Sequence, residues 1–479
     1  MAMVELKGTS WQQRYSMKEI FTLRFNIIDK PGMLAKLSGL IASTGSHVGE
    51  IKLIDVQNEY QIRDITIYLP GKDKLDKLLE MVKATNGLEV AQITNETLQT
   101  HRRGSIDVVS RMPIKSLTDL RMVYTPGVAE VCENIEKNPE EAWELTGICD
   151  RVAIVTNGTA VLGLGDIGTL ASLPVMEGKA SIMAEFVNIS AFPILIDTKD
   201  VDTFVETIVR ISSGFGAIQL EDVAAPECFE IEEKLKEKLN MPVFHDDQHG
   251  TATIVLAALI NALKYTGKKK EDCSVLMLGA GAAGIAISKI LLGFGIGDIV
   301  LYDSRGPIYR GRTEKMNKYK HQIAELTNKN NEKSPLAEGF ANKDIFIGVT
   351  KPNIVSKEMI ADMNRDAIVF PLANPVGEIS KEEALEAGAA IAADGRDCNN
   401  AQAYPGIFRG ALDARATDIT LEMKVAAAEK IAQLAPQGAL LPDVLDRQIH
   451  KQVAAAVAEA WVKSKKNMQR TGFKPKKCR

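Results

Sequence analysis

Four stretches decide the fold: VLGLGD at 161–166, FPILID at 192–197, AIQLED at 217–222 and PVFHDD at 242–247. Each runs a short apolar segment into an acid, ending at Asp166, Asp197, Asp222 and Asp247, with amphipathic helical patterns between them. Strand-like runs alternating with helices predict a parallel sheet. The strands of such a sheet end on one edge, where ligands bind. That edge gathers Glu221, Asp222, Asp246 and Asp247. Carboxylates packed at one site repel unless a cation neutralises them, and an all-oxygen set suits Mg²⁺ or Mn²⁺.

A second signal follows at 274–292, SVLMLGAGAAGIAISKILL, which reads as strand, glycine loop and helix. Gly279, Ala280, Gly281, Ala282, Ala283 and Gly284 form a dinucleotide fingerprint in the context it requires. Glycine there permits a tight turn and brings the pyrophosphate close to the helix N-terminus. The next strand, DIVLYDS, ends at Asp303, where an acid can hold the adenosine ribose and favour NAD⁺ over NADP⁺. Arg305, two residues on, is the alternative, a partner for a 2′-phosphate. A divalent-metal site beside such a fold points to metal-assisted oxidation of a hydroxy acid.

Ahead of this half lies a separate module, residues 19–97. Phe21, Leu23, Phe25 and Ile27 alternate with polar residues, a half-buried strand. A turn at Asp29-Lys30-Pro31-Gly32 leads into a helix with Leu34, Leu37, Leu40 and Ile41 on one face. Strands near 51–56 and 61–69, a helix carrying Leu75, Leu78, Leu79 and Val82, and a strand near 88–93 complete a βαββαβ order. That is the ferredoxin-like split arrangement. Arg102-Arg103-Gly104-Ser105 reads as a linker.

At 479 residues the chain is too long for one core, and roughly three domains are expected. Its 58 basic and 62 acidic residues leave a net charge of −4, which gives no nucleic-acid footprint. No apolar run is long enough to span a membrane, and MAMVELKGTS has no signal-peptide core. Six scattered cysteines without a CxxC pair fit reduced thiols in a cytoplasm. The chain past Trp461, KSKKNMQRTGFKPKKCR, reads as a basic, turn-rich end.

Two resemblances follow from longer motifs. The strand-then-DKPGML entry resembles an ACT domain, which implies a small effector bound near Asp29–Leu34 and pairing of modules into a homodimer or higher oligomer. From residue 105 to about 430 the ordered series YTPGVAEVC, VLGLGDIG, LPVMEGKA, LEDVAAPECFEIE, PVFHDDQHGTA, LGAGAAGIA, DIFIGV, LANP and YPGIFRGALD resembles the smaller bacterial malic enzymes. That likeness implies a malic catalytic domain at 105–248, a Rossmann NAD(P) domain at 249–420, and C-terminal helices with a basic tail at 421–479 packing on the catalytic domain. It also implies oxidative decarboxylation of L-malate to pyruvate and CO₂.

Residue types then suggest roles. Glu221, Asp222 and Asp247 are the expected metal ligands. Lys179 is the expected base, its pKa depressed beside a cation, and Asp246 holds or relays its proton. Tyr124 is expected to protonate C3 of enolpyruvate. Asn374 and Asn400 match asparagines that bind malate in the family. Where larger relatives carry an arginine before the glycine-rich ILGLGD motif, this chain has Ala160, so another group must grip a malate carboxylate. Plainer readings exist for each: a packing tyrosine, a surface lysine, helix-capping acids, an Asn-Pro turn. The HDDQH segment suggests zinc only if His245 and His249 share a helical face, and a helix beginning near His249 would make them diverge.

Overall fold

The computed structural model describes residues 19–161 and 163–470. They fall into two compact units that divide after Asp107; Arg103 and Gly104, in the expected linker, both have positive φ just ahead of the division.

The first unit is the βαββαβ module. Strands β1 (Glu19–Ile28), β2 (His47–Gln57), β3 (Tyr60–Leu69) and β4 (Leu88–Asn95) form an antiparallel sheet in the order β2-β3-β1-β4. Helices α1 (Met33–Ser43) and α2 (Lys72–Lys83) cover one face. The alternation in β1 buries Phe21, Leu23, Phe25 and Ile27 against Leu37, Ile41, Leu78 and Val82. On the other face Arg24 meets Asp64 of β3 through two hydrogen bonds of 2.8 Å. Strand β2 is an edge, with Ile51, Leu53 and Val56 exposed.

The second unit holds two sheets. The first contains β5 (Arg151–Thr156), β6 (Ser190–Leu195), β7 (Ala217–Leu220) and β8 (Val243–His245), all parallel, in the order β6-β5-β7-β8. One expected strand is corrected. VLGLGD is not a strand but a turn closed by a single bridge between Val161 and Gly165. Gly163 and Gly165 weaken strand pairing there, whereas the preceding RVAIVT is rich in β-branched residues and takes the central place. Helix α3 (Thr169–Val187) leads from β5 to β6 and α4 (Val201–Ile211) leads back across to β7. The direction of winding reverses between β5 and β7, so the crevice at their carboxyl ends is the expected ligand site. Helices α5 (Glu227–Lys238) and α6 (Asp246–Thr266) flank β8.

The second sheet comprises β9 (Ser274–Leu278), β10 (Asp298–Asp303), β11 (Gly306–Pro307), β12 (Ile345–Gly348), β13 (Ile368–Pro371) and β14 (Ile391–Ala392). Its order is β11-β10-β9-β12-β13-β14, parallel except for the short β10–β11 hairpin. This is the Rossmann order, and α7 (Ala282–Phe294) follows the glycine loop.

Three helices close the unit: α8 (Tyr404–Asp413), α9 (Leu421–Leu434) and α10 (Arg447–Arg470). Helix α10 touches α3, where His450 stacks on Phe186 at 4.7 Å. The helix runs through the start of the basic segment to Arg470, where a turn-rich end was expected; the rest of that segment lies outside the described residues. Among the described residues no helix is long and apolar enough to cross a membrane.

Candidate active site

The site is built at the carboxyl ends of β7 and β8. Glu221 and Asp222 follow β7 directly, and Glu221 N donates to Val155 O at 3.0 Å, fixing the crevice mouth. Asp222 has φ +54°, the left-handed region, which a short polar side chain tolerates better than most. Helix α6 starts at Asp246, three residues earlier than expected. Asp246 and Asp247 therefore occupy its first turn, where the backbone N–H groups favour negative charge.

Lys179 reaches into this group from α3. Its ammonium pairs with Asp246 Oδ2 and lies 3.1 Å from Glu221 Oε1. Burial alone would lower the pKa of Lys179, but Asp246 and Glu221 outweigh it and hold the value well above the usual range. The depressed lysine expected from the sequence presupposes a cation at the neighbouring carboxylates; Asp246 and Glu221 by themselves act in the opposite direction. Burial and the neighbouring carboxylates push Glu221 well above its normal value, and burial raises Asp246 as well. Gln219 Nε2 donates to Glu221 Oε2 at 2.6 Å, and Asp222 N donates to Asp247 Oδ2 at 2.9 Å. Asp246 Oδ1 is buried without a partner.

One carboxylate oxygen each from Glu221, Asp222 and Asp247 lie within 4.8 Å of one another. Three hard oxygen donors, short of positive charge, fit Mg²⁺ or Mn²⁺. Zinc has no comparable set among the described residues: His249 turns to Glu232 at 2.8 Å and to Lys424 at 3.2 Å, while His245 ends β8. The buried His245 ring lies with Nε2 3.6 Å from Asp247 Oδ2, so the two imidazoles have different neighbours.

The other candidates divide. Asn400 joins the cluster, its Nδ2 donating to Asp246 Oδ2 at 2.7 Å. Asn374 is exposed, and its carbonyl packs beside Gly163 of the VLGLGD turn. Asp166 is also exposed and pairs with Lys199 at 2.5 Å, outside the cluster. Tyr124 is 65% exposed, and among the described residues no hydrogen bond or ring contact joins its side chain to Lys179. A different tyrosine stands there. Tyr404 is fully buried, its ring centroid 4.6 Å from Lys179 Nζ and its hydroxyl without a partner. The sequence signal for it was present in YPGIFRGALD.

In the second sheet Gly279 has φ +122°, and a side chain at Gly284 would sit 1.8 Å from Gly279 O. The loop folds back on α7 at a distance only glycine permits, while Gly281 faces open space. Asp303 is nearly buried at the end of β10. Its Oδ1 accepts from Arg312 Nη2 at 2.7 Å and from Arg305 N at 2.9 Å, and its Oδ2 accepts from Lys320 Nζ at 2.6 Å. Burial opposes its charge, but Lys320 and Arg312 hold Asp303 below the usual carboxylate range. The Arg305 side chain instead lies 3.4 Å from Glu314. Sequence reading missed Arg312, in irregular chain, and Lys320, in the first turn of a helix at Lys318–Leu326; no motif marks either.

Residues 103–236 match the model of the malic enzyme N-terminal domain, and 248–397 with 391–462 match that of the malic enzyme NAD binding domain. An NAD-dependent malic enzyme of Geobacillus stearothermophilus is 44% identical over 440 residues, 89% of this chain and 92% of the relative. The chain belongs to the malic enzyme family. A bifunctional malic/malolactic enzyme of Bacillus subtilis is 47% identical, covering 78% of this chain and 93% of its own. Among solved malic enzymes, the NAD-dependent one from Thermotoga maritima superposes with TM-score 0.73 at 40% identity, covering 75% of this chain and 98% of that one. The malic enzyme of Pyrococcus horikoshii gives 0.74 at 40%, covering 80% and 92%.

Proposed function

We infer that this chain oxidatively decarboxylates L-malate to pyruvate and CO₂ with reduction of NAD⁺. The observation that carries the chemistry is Lys179 clamped between Asp246 and Glu221 beside three converging carboxylate oxygens. Glu221, Asp222 and Asp247 would hold Mg²⁺ or Mn²⁺, which when bound supplies the positive charge that lowers the pKa of both the substrate hydroxyl and Lys179. Lys179 then takes the proton from the C2 hydroxyl, and Asp246 holds the amine in place and relays the proton. Asn400 orients Asp246, and Asn374, beside the VLGLGD turn, is assigned to malate. The GAGAAG loop receives the pyrophosphate, and Asp303 favours the ribose of NAD⁺ over a 2′-phosphate.

Protonation of C3 is assigned to Tyr124 through the family motif, with Tyr404 as the rival donor because its hydroxyl is buried beside Lys179. The N-terminal unit reads as an ACT regulatory domain with a small-molecule effector at Asp29–Leu34. Gly32 there has φ +88°, and Gln61 donates to Asp29 Oδ1 at 2.6 Å. Pairing along the exposed edge of β2 would make the protein a homo-oligomer. The five described cysteines are free, in keeping with a cytoplasmic enzyme.

Steady-state assays with malate, Mn²⁺ and each dinucleotide test the main reading: pyruvate and NADH are expected, and no pyruvate with either cofactor ends it. A second reading, malate to lactate with retained NAD, is favoured by the likeness to the bifunctional relative. Chromatography of the products separates the two, since lactate without NADH release would select the second.

A further inference from the structure

A cavity of about 160 Å³ lies between α5, α6, α7 and α9, lined among others by Glu232, Lys236, His249, Lys289 and Lys424. It far exceeds the ~10–15 Å³ that one water needs. Its charges are unevenly matched. Glu232 is buried and saturated: His249 Nε2 lies 2.8 and 3.0 Å from its two oxygens, Lys236 Nζ 3.1 Å from Oε1, and Gln248 Nε2 donates to Oε2 at 3.2 Å. Lys236 also lies 3.5 Å from Asp418. Glu233, at the same cavity, is taken by Lys318 at 2.9 Å and Tyr319 at 3.1 Å.

Two lysines are left over. His249 Nε2 faces the Glu232 carboxylate and its Nδ1 faces the Lys424 ammonium, an arrangement that a ring carrying its proton on Nε2 alone satisfies. With Nε2 donating to Glu232, Nδ1 accepts from Lys424 Nζ at 3.2 Å. The His249 imidazole is the hydrogen-bond partner of Lys424, and among the described residues neither Lys424 nor Lys289 has a carboxylate within ion-pair distance. Burial and repulsion from Lys236 and Lys289 lower Lys424 to about 8. A buried ammonium at Lys424 without a carboxylate partner is costly unless an anion joins it, and Lys289 adds a second positive charge at the cavity's exposed side.

We propose that this cavity binds a small oxyanion, a phosphate or a carboxylate group, between Lys289 and Lys424. The position gives such a ligand leverage. Helix α6 carries Asp246 and Asp247 in its first turn and His249 in the cavity wall, while α7 carries the glycine loop at one end and Lys289 further along. An anion held by Lys289 and Lys424 bridges α7 and α9, and through the Lys424–His249 contact at 3.2 Å it reaches the helix of the metal carboxylates. The chemistry suits a regulatory metabolite, not a substrate.

The test is isothermal titration of the full chain, with NAD⁺ saturating to fill the nucleotide's own phosphate site. Inorganic phosphate and succinate serve as separate probes, on wild type, Lys289→Met and Lys424→Met. One anion per chain is expected, weakened at least tenfold in each variant, with NAD⁺ affinity unaltered. Saturable heat with phosphate alone assigns the site to phosphates, and with succinate alone to carboxylates. Lys289 is exposed, so Lys289→Met decides the matter if circular dichroism shows Lys424→Met unfolded. Absence of saturable heat with either probe, or undiminished affinity in Lys289→Met, overturns the proposal. The readout requires no turnover, so its failure is separable from failure of the malic enzyme chemistry.

Discussion

At Lys179 one ammonium serves two carboxylates, with Asp222 and Asp247 beside them; at Asp303 one carboxylate serves a guanidinium and an ammonium. The first centre is short of positive charge and the second has a surplus. Buried charge without compensation is expensive, so each imbalance names the sign of what completes it. At the first centre the missing charge is a divalent cation. At the second, Arg312 and Lys320 are cations of the kind a 2′-phosphate would seek, and both are engaged by Asp303, which in the proposed reading keeps that place for a ribose hydroxyl. The same logic of paired charge therefore selects a metal in one half of the enzyme and a dinucleotide in the other.

The most direct way to break this comparison is to remove the ammonium. Lys179→Met keeps the stem and loses the base, so kcat should fall by ~10²–10⁴-fold, the range for an acid–base group. Stopped-flow detection of NADH at saturating malate reads it, and a kcat within a few-fold of wild type would remove Lys179 from its role. Next comes the cation shortage itself. Mn²⁺ at about 100 times its Kd should stabilise the wild type by ~2.7 kcal/mol, visible as a rise in Tm. Glu221→Gln removes one negative ligand and should weaken Mn²⁺ by ~10–100-fold or more, at least the loss seen when an outer partner is removed. An unchanged Mn²⁺-induced Tm rise in Glu221→Gln would show that the ion sits elsewhere.

Much of this was legible in the sequence because it depends on local order. The βαββαβ module declared itself through period-2 alternation in β1 and the leucine faces of α1 and α2. The GAGAAG turn was equally plain, since its glycines answer a backbone requirement. One error came from context. VLGLGD looks like a strand by apolar content, yet two glycines and a better strand at 151–156 displaced it to a turn. The depressed Lys179 is a reading that presupposes the cation, and Asp246 and Glu221 alone push the other way. Arg312 and Lys320 were unreadable. They reach Asp303 from a loop nine residues later and from the first turn of a helix seventeen residues later, and no periodicity marks which long basic side chain folds back onto an acid.

The surplus at Asp303 can be sharpened by taking the acid away. Asp303→Ala frees Arg312 and Lys320 and removes a charge that repels a 2′-phosphate. Charged hydrogen bonds contribute about 1.5–3 kcal/mol, so the ratio of kcat/KM for NADP⁺ to that for NAD⁺ should rise by roughly 10- to 100-fold. Parallel progress curves with the two dinucleotides measure it. A ratio that stays put would mean that Asp303 braces the loop and does not choose the cofactor.

The smallest expected effect concerns the hydroxyl that neither imbalance explains. Tyr404 is buried, burial raises its pKa, and its Oη has no partner. An unmet buried hydroxyl costs about 1–3 kcal/mol, so Tyr404→Phe should melt at or above the wild-type temperature if the group is merely trapped. If substrate is the absent partner, the same variant should lose roughly three- to tenfold in kcat/KM for malate, the worth of one neutral hydrogen bond. Paired calorimetry and kinetics separate the cases. A higher Tm with unaltered kinetics makes Tyr404 a packing residue and leaves C3 protonation to Tyr124, whereas a higher Tm with slowed turnover marks a hydroxyl kept unsatisfied for the ligand. Tyr124→Phe is the control: it is exposed in the single chain, so its Tm should not move, and a drop in kcat from that variant alone would mean that its hydroxyl reaches the reacting carbon in a way the isolated chain does not display.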